Sequence, residues 1–265
     1  MTVVIFMVAG LSSRFGGKPK QMAIIGPNNE TLIEYSVNQA INSCNFNEII
    51  FITNPKTEDL FKNIFSNNYK NIPIKYIQQK YDLNKRKRPW GTTDAICSVI
   101  GFVNQPFIML NGDDIYGEST FKKGLELMNT PNINIIGGLK IINTLPDKGF
   151  VNRGVIFVSG SKVKGLKEMI SISKDDNPEL HDELANVNFI GLQPFVLDRL
   201  KIILDKFKNI NENDSKIECL LPDNLNELIE MNIIEMEFFE ITSEILGITN
   251  PGDDLILKKK LSISQ

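Results

Sequence analysis

Residues 3–20 read VVIFMVAGLSSRFGGKPK, an apolar run that breaks into a glycine- and serine-rich loop carrying Arg14 and then two lysines. An apolar run bounded by turn residues predicts a strand buried on both faces. The small residues after it let backbone N–H groups come close to a polyphosphate, with Arg14 and Lys20 supplying positive charge. The loop is not a P-loop, because no G-K-S/T opens a helix after it. Nor is it the dinucleotide fingerprint: Gly10, Ser12 and Ser13 do not make G-x-G-x-x-G, and no acidic residue closes a second strand about 20 residues on.

Outward from this loop the chain alternates. LIEYSVNQAINSC puts Leu32, Ile33, Val37, Ala40, Ile41 and Cys44 near one helical face, and EIIFIT follows as a strand. TEDLFKNIF predicts a helix opened by Thr57, and IPIKYIQQ a third strand ending in Gln78 and Gln79. Alternation of this kind implies parallel pairing with right-handed crossovers, and ligands of such sheets sit beyond the carboxyl ends of the strands. GTTDAICSVIGFV then predicts a helix capped by Thr92 or Thr93, and PFIMLNGDDIYG a strand that stops on Asp113 and Asp114. Two carboxylates at a strand end, on the same edge as a phosphate loop, are hard ligands suited to a Mg²⁺-nucleotide.

The second half departs from strict alternation. NINIIGGLKI reads as a strand, PDKGFVNRGVIFVSG as a hairpin, and ANVNFIGLQPFVLDRL as strand then helix. SKIECLLPDNLNELIEM predicts helices interrupted at Pro222, IIEMEFFEIT a late strand, and ITNPGDDLILKKKL a turn into a short helix begun by Asp253 and Asp254. The fold class expected is α/β: a Rossmann-like, mixed but mostly parallel central sheet flanked by helices.

At 265 residues the chain can bury a large single core, and no linker or repeat divides it. A net charge of −3 argues against general nucleic-acid binding. The run Lys85, Arg86, Lys87, Arg88 is the local exception and reads as a solvated loop. Cys44, Cys97 and Cys219 are scattered in apolar surroundings, which suggests neither disulfides nor a metal site and points to a reducing compartment. No apolar run reaches the roughly 18 residues of a membrane span, so a cytoplasmic protein with no membrane partner is expected. His181, the single histidine, lies in a polar stretch and reads as a surface residue, and Trp90 either stacks on a base or anchors its loop.

The order A-G, then R, then P-K, at Ala9, Gly10, Arg14, Pro19 and Lys20, resembles the opening signature of the sugar-1-phosphate nucleotidyltransferases. Ser12 stands where that family most often has glycine. RPWGTTDAI resembles the family's G-T-x-x-A segment and NGDDIYG its metal-binding strand end. With NRGV, Asn188, the K-x-E-x-x-L-P stretch at 216–222 and the G-I-T turn, the set looks like a bacterial-type subgroup.

The resemblance implies one domain over residues 1–265, with a nucleotide-binding half to about residue 130 and a sugar-binding elaboration from about 131 onward. It implies that Ala9 and Gly10 contact the nucleobase, that Gly91 and Thr92 flank it, and that Gln78 or Gln79 reads a pyrimidine edge. Gly149, Glu168 and Asn188 would bind sugar hydroxyls. Arg14, Lys20 and Asp113 would be catalytic, and Asp113 and Asp253 would hold Mg²⁺, with Asn250 and Asp254 as alternatives to Asp253. The implied partners are an NTP and a sugar 1-phosphate; whether copies of the chain form a homo-oligomer is left open. The implied reaction gives an NDP-sugar and pyrophosphate, with UTP or dTTP as donor. Three competitors stand beside it: a cytidylyltransferase acting on a polyol or other small alcohol phosphate, a nucleotide-sugar-dependent glycosyltransferase, and a catalytically silent nucleotide-sugar-binding homologue.

Overall fold

The computed structural model describes residues 2–10, 19–146, 149–248 and 252–263. β1 (Val3–Met7) is the apolar run at the head of the chain. It pairs in parallel with β2 (Glu48–Thr53) on one side and β5 (Phe107–Asn111) on the other. Val3 and Ile5 enter one apolar layer and Val4 and Phe6 the other. Helices cover both faces, so neither can be polar.

The layer of Val4 and Phe6 holds α1 (Leu32–Ser43), α2 (Glu58–Phe65) and α4 (Glu118–Met128), through Ile33, Val37, Phe61, Phe65 and Phe121. α1 opens with a capping box: Glu34 N donates to Thr31 Oγ1 at 3.3 Å and Thr31 N to Glu34 Oε2 at 2.9 Å. The opposite layer holds α3 (Thr92–Cys97), α5 (Phe195–Ile210) and α6 (Leu221–Glu230). β3 (Asn68–Tyr69) and β4 (Ile72–Gln78) extend the sheet beyond β2.

Beyond β5 the sheet turns mixed. β10 (Leu184–Leu192) lies antiparallel between β5 and β7 (Asn134–Lys140). β11 (Met236–Glu240) runs parallel to β7 and meets β9 (Lys162–Ile172), which pairs with β8 (Val151–Ser159). β8 returns to β10 through Gly154 and Asn186, so β10, β7, β11, β9 and β8 close a ring.

Three local expectations are corrected. The stretch ending at Gly160 is only the first arm of a hairpin, whose turn is Gly160 and Ser161 and whose second arm is β9. Pro222 does not interrupt a helix but lies in the first turn of α6, where its missing N–H breaks no intrahelical bond. α3 is entered from Gly91 at φ +100°, not capped by a threonine side chain; the hydroxyl of Thr92 instead accepts from Leu221 N at 2.9 Å.

The basic run is not wholly solvated either. Arg86 is 4% exposed. Its guanidinium lies 3.4 Å from the centre of the Trp90 ring and donates to the carbonyls of Arg88, Pro89, Asp214 and Ile217. Phe207 meets the same ring edge-on. Trp90 is thus an anchor of its loop, and Arg86 ties that loop to the segment before α6.

Near the chain end, β12 (Leu246–Gly247) pairs with β6 (Asp114–Ile115), and α7 (Asp253–Ile263) follows. A small core of Ile25, Leu32, Ile115, Ile248, Leu257 and Leu261 holds α7, the start of α1 and β6 together. All three cysteines are free thiols. No described helix is long and apolar enough to cross a membrane.

Candidate active site

Parallel β1 and β5 end side by side, Met7 opposite Asn111, so the loop after each leaves the same edge of the sheet. On leaving β1, the carbonyl of buried Ala9 accepts from Asn54 Nδ2 at 3.0 Å. Asn54 Oδ1 in turn accepts from the N–H groups of Lys56 and Thr57, which makes this side chain a clasp between the exits of β1 and β2. Asn54 was not singled out from sequence; T-N-P after an apolar strand reads only as a turn. Ser12 and Arg14 lie outside the described residues, as does Asn250.

Where the chain re-enters, Lys20 Nζ donates to Asp113 Oδ2 at 2.6 Å and to the carbonyl of Ile248 at 2.9 Å. Residues 93 and 228 positions apart in the sequence are thereby joined at one ammonium. The pairing of β12 with β6 makes this possible, because it brings the C-terminal turn against the aspartates; Ile248 N also donates to Asp113 O at 3.3 Å. A Cβ on Gly247 would fall 2.1 Å from Asp114 Oδ1, so any larger residue there would displace the Asp114 carboxylate. Asp253, at the first turn of α7, follows this turn by a few residues.

Asp114 is held by Asn111 Nδ2 at 2.9 Å. Burial, reinforced by the neighbouring Asp113 charge, pushes its carboxyl up to about 7. Two adjacent carboxylates, with Lys20 already on one of them, fit a hard divalent cation. Among the described residues no group of three or more His, Cys, Asp or Glu side chains gathers for a metal, so further oxygen ligands would have to come from elsewhere.

Gln78 and Gln79 leave β4 on opposite faces. Gln78 hydrogen-bonds Glu58 of α2, whereas buried Gln79 donates to the Gly91 carbonyl at 3.0 Å and to Asp94 Oδ2 at 2.8 Å. Lys208 binds the other oxygen of Asp94. Gln79 is therefore the glutamine beside Gly91 and Thr92, and its amide nitrogen already braces that turn.

In the second half, Glu168 lies opposite Gly154, whose missing side chain leaves room between Glu168 and Asn186. Burial raises the Glu168 carboxyl, Asp223 adds to the rise, and Arg153 opposes it. Asn188 sits at φ +59° in a bulge of β10 and its N–H donates to Asn186 Oδ1 at 2.8 Å. Gly149, at φ +94°, precedes β8 with open space around it. Lone His181 is only half-buried and bonded to the carbonyl of Lys174.

The model of the nucleotidyl transferase family matches residues 11–169. No curated protein sequence matches the chain. Among solved structures, UDP-glucose pyrophosphorylase complexed with UDP-glucose superposes with a TM-score of 0.69 at 16% identity, over 100% of both chains. A candidate glucose-1-phosphate thymidylyltransferase from Bacillus anthracis, solved with sucrose, reaches 0.72 at 14% identity, over 99% of this chain and 96% of that one. The inositol-1-phosphate CTP transferase of T. maritima reaches 0.67 at 11% identity, over 99% and 96%. These likenesses establish the mixed α/β fold with helices on both faces of its sheet.

Proposed function

From the premise that the chain belongs to the nucleotidyl transferase family, we propose that it joins an NTP to a sugar 1-phosphate, giving an NDP-sugar and pyrophosphate. The observation that carries this reading is the Lys20 ammonium seated on Asp113 at the end of β5, closed over by the Ile248 carbonyl. A phosphate-binding cation and a metal-type carboxylate in contact are what phosphoryl chemistry between two anions needs.

The attacking sugar phosphate is already an anion near neutral pH, so no general base is required. The obstacle is repulsion between two phosphates and their alignment in line. Lys20 would place a point charge at the α-phosphate, and Arg14, in the loop after β1, would fork onto phosphate oxygens. Asp113 and Asp253 would hold Mg²⁺, which supplies further neutralisation of charge shared by both substrates. Lys20 would leave Asp113 for the nucleotide as the substrates arrive, exchanging one anionic partner for another.

Gly91 and Thr92, braced by Gln79, would flank the base together with Ala9 and Gly10, and a uridine or thymidine nucleotide suits an amide reader of the pyrimidine edge. Gly149, Glu168 and Asn188 would take the sugar hydroxyls. The reaction would take place in the cytoplasm, where NTPs are at hand.

Pyrophosphate release, measured with each of UTP, dTTP, CTP, GTP and ATP against a panel of sugar 1-phosphates in Mg²⁺, tests the reading. Turnover with UTP or dTTP is expected. Turnover confined to CTP with a polyol phosphate would transfer the protein to the cytidylyl branch, and silence with every pair would refute the reaction.

A further inference from the structure

Asn186, on β10, has both ends of its amide engaged with Asn188. Its Oδ1 accepts from Asn188 N at 2.8 Å, and its Nδ2 donates to Asn188 Oδ1 at 3.3 Å. These two contacts fix which way round each amide stands. A backbone N–H can only donate, so the Asn186 atom it meets is the oxygen and the other end is the NH2 group. That NH2 can only donate in turn, so the Asn188 atom facing it is the oxygen. The NH2 group of half-buried Asn188 is thereby turned away from Asn186, and among the described residues it has no hydrogen-bond partner.

Strand register places these amides. Leu184 of β10, Ile156 of β8 and Leu166 of β9 lie side by side and pack into the layer that holds α3, α5 and α6. Two residues along each strand, and so on the same face, stand Asn186, Gly154 and Glu168. A Cβ on Gly154 would stand 3.3 Å from Asn186 Cβ and 3.4 Å from Glu168 Oε2, so these two side chains flank one stretch of bare backbone. Asn188 follows in the bulge of β10, where the pairing with β7 shifts between Asn186 and Phe189. Buried Tyr116 pins that bulge to the end of β5: its hydroxyl donates to Val187 O at 2.8 Å and accepts from Asn111 N at 3.3 Å. Glu168, Asn186 and Asn188 thus form a polar row that reaches the end of β5, two residues before Asp113.

We infer that Asn186 is a positioning residue that sets the direction of hydrogen bonding to the sugar: Asn188 donates and Glu168 accepts. The assignment rests on the proposed transfer to a sugar 1-phosphate. A hydroxyl carries one proton, so one that accepts from Asn188 passes its own proton on, directly or through a neighbouring hydroxyl, to the Glu168 carboxylate. Such a chain runs one way, and its bonds polarise one another. With the Asn188 amide turned round, the chain would end on an acceptor at both sides and one of its bonds would go unmade. The row therefore suits a sugar with adjacent free hydroxyls on the edge that meets it, and discriminates against one deoxygenated there.

Steady-state kinetics of Asn186→Asp and Asn186→Ala test this, with the sugar 1-phosphate that wild-type protein turns over and its monodeoxy analogues. The aspartate variant still accepts from Asn188 N, so the bulge keeps its bond, but it has no N–H and draws the Asn188 NH2 round to itself. It should raise KM for the sugar 1-phosphate about 10- to 100-fold and leave KM for the NTP within about twofold. The alanine variant leaves the amide free to turn either way and should raise the same KM by less than about tenfold. A mere brace of the bulge predicts the opposite order, alanine worse than aspartate, and that order would overturn the inference. With the one analogue that lacks the hydroxyl meeting Asn188, the aspartate variant and wild type should agree in KM within about threefold. A penalty that persists with every analogue would be repulsion between the new carboxylate and the phosphate, and would overturn the inference too. Wild-type turnover with an unchanged Asn186→Asp would overturn it alone; wild-type silence with every substrate pair would overturn the reaction beneath it.

Discussion

Gly91→Ala probes the joint between the fold and the proposed base side of the site. Gly91 has φ +100° and ψ −170°, a region that is nearly exclusive to glycine and costs other residues about 1–3 kcal/mol. A Cβ there would stand 2.5 Å from Cys219 O and 2.8 Å from Cys219 N. Neither atom can swing away, because Cys219 N donates to Trp90 O at 2.7 Å and Cys219 O accepts from Thr93 N at 3.1 Å. Relief must come from moving backbone, which adds about 1–3 kcal/mol. The summed loss, about 2–6 kcal/mol, is a large share of the stability of an ordinary domain. Gly101→Ala is the control: φ is +84° but nothing lies within 4 Å of the added Cβ, so only about 1–2 kcal/mol is at stake. Urea unfolding of the two variants, compared at equal m-values, reads the difference. Gly91→Ala should be the less stable by at least about 1 kcal/mol, and losses equal within about 0.5 kcal/mol would refute the close packing of the 91 turn on Cys219.

Lys20→Ala and Asp113→Asn should each lower kcat/KM by about two to three decades while the protein stays folded by circular dichroism; near-wild-type turnover in either would remove that group from the reaction. Cys97, whose thiol is pushed up to about 12 by burial and the Asp94 charge, should resist alkylation at pH 8 until urea unfolds the protein. The folded state holds that proton more tightly than the unfolded chain, so the associated stability is complete below about pH 9 and declines as pH climbs from there toward 12. Arg86→Ala should cost about 2–4 kcal/mol in urea unfolding and expose the 80–90 loop to limited proteolysis, since several part-buried carbonyls lose their charged donor at once; unchanged cleavage there would contradict its role as a tie.

The first half of the chain was legible because its signals are local. Continuous apolar runs at 3–7, 48–53 and 107–111 are what strands covered on both faces must look like, and their alternation with amphipathic helices dictates parallel pairing. The strand-end aspartates could be seen for the same reason. Pairings between distant segments left no such trace. Contact of β12 with β6 rests on two residues each, too short for a period, and β8 closing on β10 is a long-range choice that alternation cannot reveal. Arg86 looked solvated because a run of cations normally is; its burial depends on carbonyls contributed from 214 and 217. Gln78 and Gln79 were inseparable in the sequence, yet the two-residue pleat sends one to α2 and the other to Gly91.

Transfer of the α-phosphorus is the core of the proposed chemistry, and following the phosphates of a labelled NTP tests it most directly. Wild-type protein should be incubated with UTP or dTTP labelled at the α- or at the γ-phosphate, a sugar 1-phosphate and Mg²⁺. The α-label should pass into an NDP-sugar and the γ-label should leave as pyrophosphate, in equal amounts and only when the sugar phosphate is present. Label released as inorganic phosphate, or an α-label that never reaches the sugar, would contradict nucleotidyl transfer by Lys20 and Asp113.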